Sequence, residues 1–283
     1  MQIGAIYPQT ELPADPTSVR EYVRGVEELG FAHILVFDHV VGADPAAYPG
    51  WNGPYDVDTT FHEPFVLFGF LAALTRLELV TGIIIAPQRQ TALLAKQSAE
   101  VDILTDGHFR LGLGVGWNEV EYHALGQDFR TRGRRQAEQI GLLRRFWTER
   151  AVDHDGEFDH VRGAGIAPLP VQRPIPIWMG GSSPAAYRRI GRLADGWFPM
   201  HAPGDRLDEA RRIIGEAAAE SGRDASALGM EGRIGAGPDA ARHAAKWRDA
   251  AATHVTVDTM RLGHEGVAGH LAALEQAAKE LGL

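Results

Sequence analysis

The sequence predicts an α/β protein folded as a (β/α)8 TIM barrel, and three observations predict it. Short apolar runs rich in β-branched residues alternate with helical patterns from one end of the chain to the other. Eight such runs can be placed, which favours a barrel over a doubly wound sheet, although the alternation alone fits either. Their apolar character is continuous, as in Val80-Thr81-Gly82-Ile83-Ile84-Ile85, which is what parallel strands covered on both faces require. The 283 residues, 45% apolar and 23% charged, suffice for eight units and are read as one domain over residues 1–283.

In chain order, the first strand is expected at Gln2–Tyr7. A helix follows, opened by a capping box of Ser18 and Glu21, striped by Val19, Val23, Val26 and Leu29, and stopped at Gly30. The second strand is His33–Phe37. Val41 to His62, rich in Gly, Pro and aromatic residues, is longer than an ordinary connection and is expected on the catalytic face, as a substrate lid or else a packed surface excursion. The third strand is Glu78–Ile85, and Leu94, Val101 and Leu104 mark a helix that ends before Gly107. The fourth is Phe109–Gly116, followed by a basic helix at Thr131–Glu149 and a second long stretch at Ala151–Arg173. Pro176–Gly180 is the fifth strand, with a helix begun by Ser183 and Pro184 and faced by Ala186, Ile190 and Leu193. Gly196–Pro199, Met230–Ile234 and His254–Val257 complete the set.

Composition excludes several chemistries. With no cysteine, disulfides, thiolate metal sites and thiol nucleophiles are impossible, so any chemistry rests on His, carboxylates, hydroxyls or a borrowed cofactor. A net charge of −9 argues against nucleic acid and anionic membranes as partners. The first eight residues read as a strand and not a signal peptide, and the longest apolar stretch, Pro64 to Leu74, is too short to span a bilayer. A cytoplasmic location is therefore expected. The arginines of the basic helix, Arg132, Arg134, Arg135, Arg144 and Arg145, read as a solvated helix face rather than a polyanion site.

In such a barrel the chemistry sits where strands end. Strand two ends in Asp38-His39, where His39 suits general acid or base work and Asp38 suits hydrogen-bond acceptance; a solvated strand end is the alternative. Gly112, Gly114 and Gly116 fail the dinucleotide fingerprint, because Trp117 stands where the third glycine belongs; they read instead as room for a flat ligand against the backbone. Glu119 follows, either as an acid toward a ligand or as a first-turn residue favourable to a helix dipole. Gly180-Gly181-Ser182-Ser183-Pro184 reads as an anion site at a helix start, or as an ordinary cap. The scattered histidines have no metal-ligand spacing, so no metal is expected.

An ordered set of motifs resembles a known family. Phe37-Asp38-His39, Gly82-Ile83-Ile84-Ile85-Ala86-Pro87, Ala95-Lys96-Gln97, Leu111 through Glu121, Arg132-Gly133-Arg134-Arg135, Pro176 through Gly181 and Ala194-Asp195-Gly196-Trp197 resemble the bacterial luciferase-like monooxygenase family. Within it they are most similar to the branch that uses the 5-deazaflavin coenzyme F420. The resemblance implies a ring lying in the barrel mouth and a non-proline cis peptide behind it, at Ile83–Ile84 here. It implies that Asp38, Ile83, Ile84, Trp117, Asn118 and Met179 surround the ring and that Gly180, Gly181 and Ser182 take the cofactor phosphate. His39 would exchange a proton with the substrate and Glu119 with the cofactor.

The expected function is F420-dependent hydride transfer with a small-molecule substrate, in a homodimer. The alternatives are a monooxygenase using reduced FMN, and a carrier that binds flavin or deazaflavin without turnover. Relatives that oxidise sugars have small residues where this chain has Trp117 and Asn118, so that activity is not expected.

Overall fold

The computed structural model describes residues 1–283. Nine strands form one sheet: β1 (Gln2–Ile6), β2 (His33–Val36), β3 (Glu78–Thr81), β4 (Ile84–Ile85), β5 (Phe109–Gly114), β8 (Ile177–Gly180), β9 (Gly196–Phe198), β10 (Gly229–Gly235) and β11 (His254–Asp258). β6 (Val152–Asp155) and β7 (His160–Ala164) pair antiparallel as a separate hairpin. The order β3-β2-β1-β11-β10-β9-β8-β5-β4 closes through a further β3–β5 pairing, and every pair in this sheet is parallel. β3 and β4 are two halves of one barrel strand, so eight staves make a closed barrel.

The helices are α1 (Pro16–Glu28), α2 (Pro64–Leu71), α3 (Thr91–Leu104), α4 (Glu119–Ala124), α5 (Arg132–Thr148), α6 (Pro184–Leu193), α7 (Asp205–Glu220), α8 (Ala240–Asp249) and α9 (Gly266–Leu281). None is long and apolar enough to cross a membrane. Side chains along β2 alternate as the pleat requires. Ile34 and Val36 join the large cluster between sheet and helices, whereas Leu35 packs with Ile6 and Val80 in a separate apolar layer inside the barrel. Below that layer, at the strand starts, lies an ionic set: Glu231 meets His33 at 2.8 Å and Arg110 at 2.6 Å, and Arg110 reaches Glu78 at 3.0 Å.

Four local expectations are corrected. The first helix begins at Pro16, capped by Asp15, whose carboxylate accepts from the Thr17 and Ser18 amides; proline suits the first helical position, so the Ser18–Glu21 box lies inside the helix. The cis peptide joins Gly82 to Ile83, one residue before the expected bond. Ile84 and Ile85 have already rejoined the ladder opposite Leu113 and Gly114, which leaves the break to Gly82–Ile83. Leu104 is exposed at the helix end rather than part of the buried stripe. The stretch 151–173 carries the β6–β7 hairpin, invisible in the pattern because only Val152 of its strand residues is buried.

Candidate active site

Because all eight staves are parallel, their C-terminal ends and the N-termini of the following helices share one face. His39 stands there, just beyond β2, with its side chain 9% exposed. Tyr55 and Phe61 of the long loop and Trp117 beyond β5 surround its ring, with centroids at 5.0, 4.8 and 5.6 Å. Trp51 packs tilted against Trp117, with centroids 5.6 Å apart. The loop 41–62 thus folds over the mouth and encloses a cavity of about 120 Å³ beside His39.

The carboxylate brought to His39 is Glu121 and not Glu119. Glu121 lies 3.4 Å from His39 Nδ1, accepts from the Val40 amide at 2.5 Å and from Gln88 Nε2 at 3.0 Å, and is fully buried. Burial alone would raise its pKa, but the contacts from His39, Gln88 and Val40 hold it below the usual carboxylate value, so it stays charged. Glu119 opens α4 with its side chain 57% exposed, 3.9 Å from His123. Two positions along a helix amount to about 200° of rotation, so one carboxylate faces the barrel and the other faces water. Asn118, expected at the ring edge, is instead the cap of α4: its Oδ1 accepts from Val120 and Glu121, and its Nδ2 donates to Val41.

Asp38 is buried with both oxygens occupied. One accepts from Arg89 Nη2 at 2.8 Å and the other from the Ile85 amide at 2.9 Å. Burial raises its pKa, and the Arg89 charge and these hydrogen bonds work against that rise. It therefore anchors the strand break at Gly82–Ile83, while Arg89 also reaches Glu63 at 2.8 Å.

Beyond that break, Ile83 is half-buried and Ile84 fully buried. A Cβ on Gly114 would fall 2.3 Å from Ile83 Cδ1, and one on Gly112 would fall 1.9 Å from the Thr81 carbonyl. These glycines make room for the neighbouring stave and for Ile83 rather than for a ligand directly. Ile83 also lies 3.6 Å from the Cβ position of Gly180, so it floors the mouth between β5 and β8. Met179 is buried in the main core, one residue out of phase with the inward-facing Gly180.

After β8, Gly181 has φ +145°, and a Cβ there would meet Ala186 of α6 at 2.6 Å. Ser182 is exposed, and Ser183 caps α6 through the Ala186 amide. The loop lies tight against the start of a ten-residue helix, an arrangement suited to a phosphate. Two buried polar atoms just beyond β1, Tyr7 Oη and Gln9 Oε1, have no protein partner; the Tyr7 ring packs in the main core against Tyr22 of α1, whereas Gln9 stands at the mouth with its Nε2 donating to the Phe37 carbonyl. Burial, with a smaller contribution from Asp15, pushes Tyr7 up to about 12, which keeps it a hydroxyl donor. A 450 Å³ cleft between Met200, Arg233, Asp258 and Met260 continues the mouth on the opposite side. These residues fit a flat, phosphate-bearing cofactor.

The sequence profile described as luciferase-like monooxygenase matches residues 2–280. An uncharacterized protein of Mycobacterium tuberculosis is 39% identical over 170 residues, 59% of this chain and 56% of its own length. An F420-dependent glucose-6-phosphate dehydrogenase of Gordonia bronchialis is 29% identical over 238 residues, 80% of this chain and 66% of its own. The chain thus matches little more than half the length of the mycobacterial relative. Among solved structures, an F420-dependent secondary alcohol dehydrogenase is similar at TM-score 0.78 and 14% identity, covering 99% of this chain and 98% of that one. The monooxygenase RslO1 of Streptomyces bottropensis is similar at TM-score 0.76 and 19% identity, with the same coverage. At such identities the likeness is one of fold. Family profile and closed parallel barrel agree over nearly the whole chain, and the protein belongs to the luciferase-like monooxygenase family.

Proposed function

We propose that this protein is an oxidoreductase that binds coenzyme F420 and reduces or oxidises a small organic substrate seated against His39. The observation that carries the reading is the pairing of His39, enclosed by Tyr55, Phe61 and Trp117, with the buried charge of Glu121. F420-dependent relatives support the choice of cofactor.

When bound, the deazaflavin supplies the two electrons that no side chain here can supply. Ile83 would floor the ring, Gly180, Gly181 and Ser182 would hold the phosphate, and Gln9 would reach a polar edge of the ring. Glu121 faces His39 Nδ1 and favours the tautomer with the proton there, which leaves Nε2 as the nitrogen able to take or return a proton at the substrate. The aromatic walls exclude water and favour an apolar substrate over a sugar phosphate, with Trp117 narrowing the mouth against Trp51.

Titrating the purified protein with F420 and with FMN, followed by fluorescence, tests the cofactor. Saturable binding of F420, tighter than that of FMN, is expected. Binding of FMN with none of F420 overturns the assignment and favours a flavin monooxygenase.

A further inference from the structure

The basic helix holds more than solvated charges. Arg134 pairs with Glu157, Arg144 with Asp195 and Arg145 with Glu149. Arg132, Arg135 and Arg189 differ: each is half-buried, and none has a carboxylate within ion-pair distance. Nearby acids are already engaged. Glu138 accepts from the Glu157, Phe158 and Asp159 amides, and Asp128 accepts from the Arg130 amide.

Arg132 and Arg189 converge, whereas Arg135 turns toward the Arg89 carbonyl, which its Nη2 reaches at 3.5 Å. A Cβ on Gly133 would fall 2.5 Å from Arg189 Nη2, and Arg189 Nη1 donates to Gln136 Oε1 at 3.3 Å. Arg132 rests 3.7 Å from the Phe129 ring; burial first, and then the charges of Arg192 and Arg132, depress the Arg189 pKa. Gln136 is only 1% exposed, yet its Nε2 has no partner, and the Nε atoms of Arg132 and Arg135 are likewise buried without one. Crowded cations beside an unmatched buried donor are costly unless an anion completes them. The cluster sits at the start of α5 and on α6, on the same face as the Gly180–Ser183 loop.

We infer that Arg132, Arg189 and Gln136 form a second anion subsite that takes the glutamate carboxylates F420 carries beyond its lactyl group. This rests on the deazaflavin reading. The phosphate of that coenzyme is a diester with a single negative charge, so two guanidiniums beyond the phosphate loop call for further anions. FMN ends at its phosphate and offers none.

The test compares two forms of the coenzyme, one ending at the lactyl group and one bearing several glutamates, by fluorescence titration at low and high salt. Wild type should bind the glutamylated form at least about tenfold more tightly at low salt, and the preference should shrink at high salt. In the R132Q/R189Q double variant the preference should vanish while affinity for the shorter form stays within about twofold; lysine at both positions should restore part of it. Equal affinity of wild type for both forms overturns the inference, as does a variant that weakens both forms by the same factor. If neither deazaflavin binds and FMN does, the cofactor reading fails and this inference with it. Should the double variant not fold, the salt dependence of the wild-type preference decides alone.

Discussion

At the scale of single residues, the proposed chemistry turns on His39 and Glu121. Removing the imidazole in His39→Ala should lower the turnover number by about 10² or more, with cofactor affinity little changed. Steady-state kinetics beside a cofactor titration would show whether binding survives. Glu121→Gln keeps the shape but loses the charge facing Nδ1, and it replaces an acceptor for the Val40 amide. A fall of about tenfold to a hundredfold in turnover, with a displaced pH profile, is expected; an unmoved profile would mean that Glu121 only supports the loop. Glu119→Gln, by contrast, should leave both unchanged, since that side chain faces solvent. The sequence did hold a partial signal for Glu121: Asn118 is a good helix cap, and Glu121 stands in the first turn of the helix it opens. What it could not show is that Val40 and Gln88, some 81 and 33 residues away in the chain, would meet that carboxylate.

At the scale of elements, each stave was legible because a parallel strand must be apolar on both faces, and seven of the eight ends lie within two residues of expectation. Glu78–Ile85 is the exception, split into β3 and β4 at Gly82–Ile83. The hairpin β6–β7 was not legible, because its residues are mostly exposed and follow no apolar alternation. The helix starts can be tested directly. Asp15→Ala removes the acceptor for two amides of α1 and should lower the midpoint of denaturant unfolding. Gly181→Ala forces a Cβ toward Ala186 in a backbone region that suits glycine and should cost about 1–3 kcal/mol. It should also weaken cofactor binding, whereas the Asp15 variant should leave binding intact.

For the molecule as a whole, the two ends of the barrel divide the work. The mouth carries the proposed chemistry, and the floor carries the ionic set of His33, Arg110, Glu231 and Glu78. Glu231 is held far below the usual carboxylate range, where His33 and Arg110 overcome the cost of burial. Removing one partner in Arg110→Ala leaves that charge unmatched and should cost about 3–5 kcal/mol, seen as a lower unfolding midpoint. The same floor makes the protein acid-sensitive. Burial first, and then the Arg110 charge, push His254 down to about 3. Between its unfolded value of about 6.5 and that lower value, the unfolded chain binds a proton that the folded chain refuses, so stability falls as pH drops through this window. Denaturant midpoints measured across it should decline, and His254→Gln should flatten the decline.

The sequence by itself determined the barrel, because eight doubly covered staves and their intervening amphipathic helices are local patterns written in periods of apolar residues. It also placed His39 and Gly180–Ser182 at the mouth, because they lie directly beyond strand ends. Only the tertiary structure decided which carboxylate meets His39, that Asp38 is bound to Arg89 and Ile85, and that Arg132 and Arg189 gather without an acid between them. Those outcomes depend on groups distant in the chain brought together by barrel closure, and charge pairing of that kind leaves no periodic trace in a sequence.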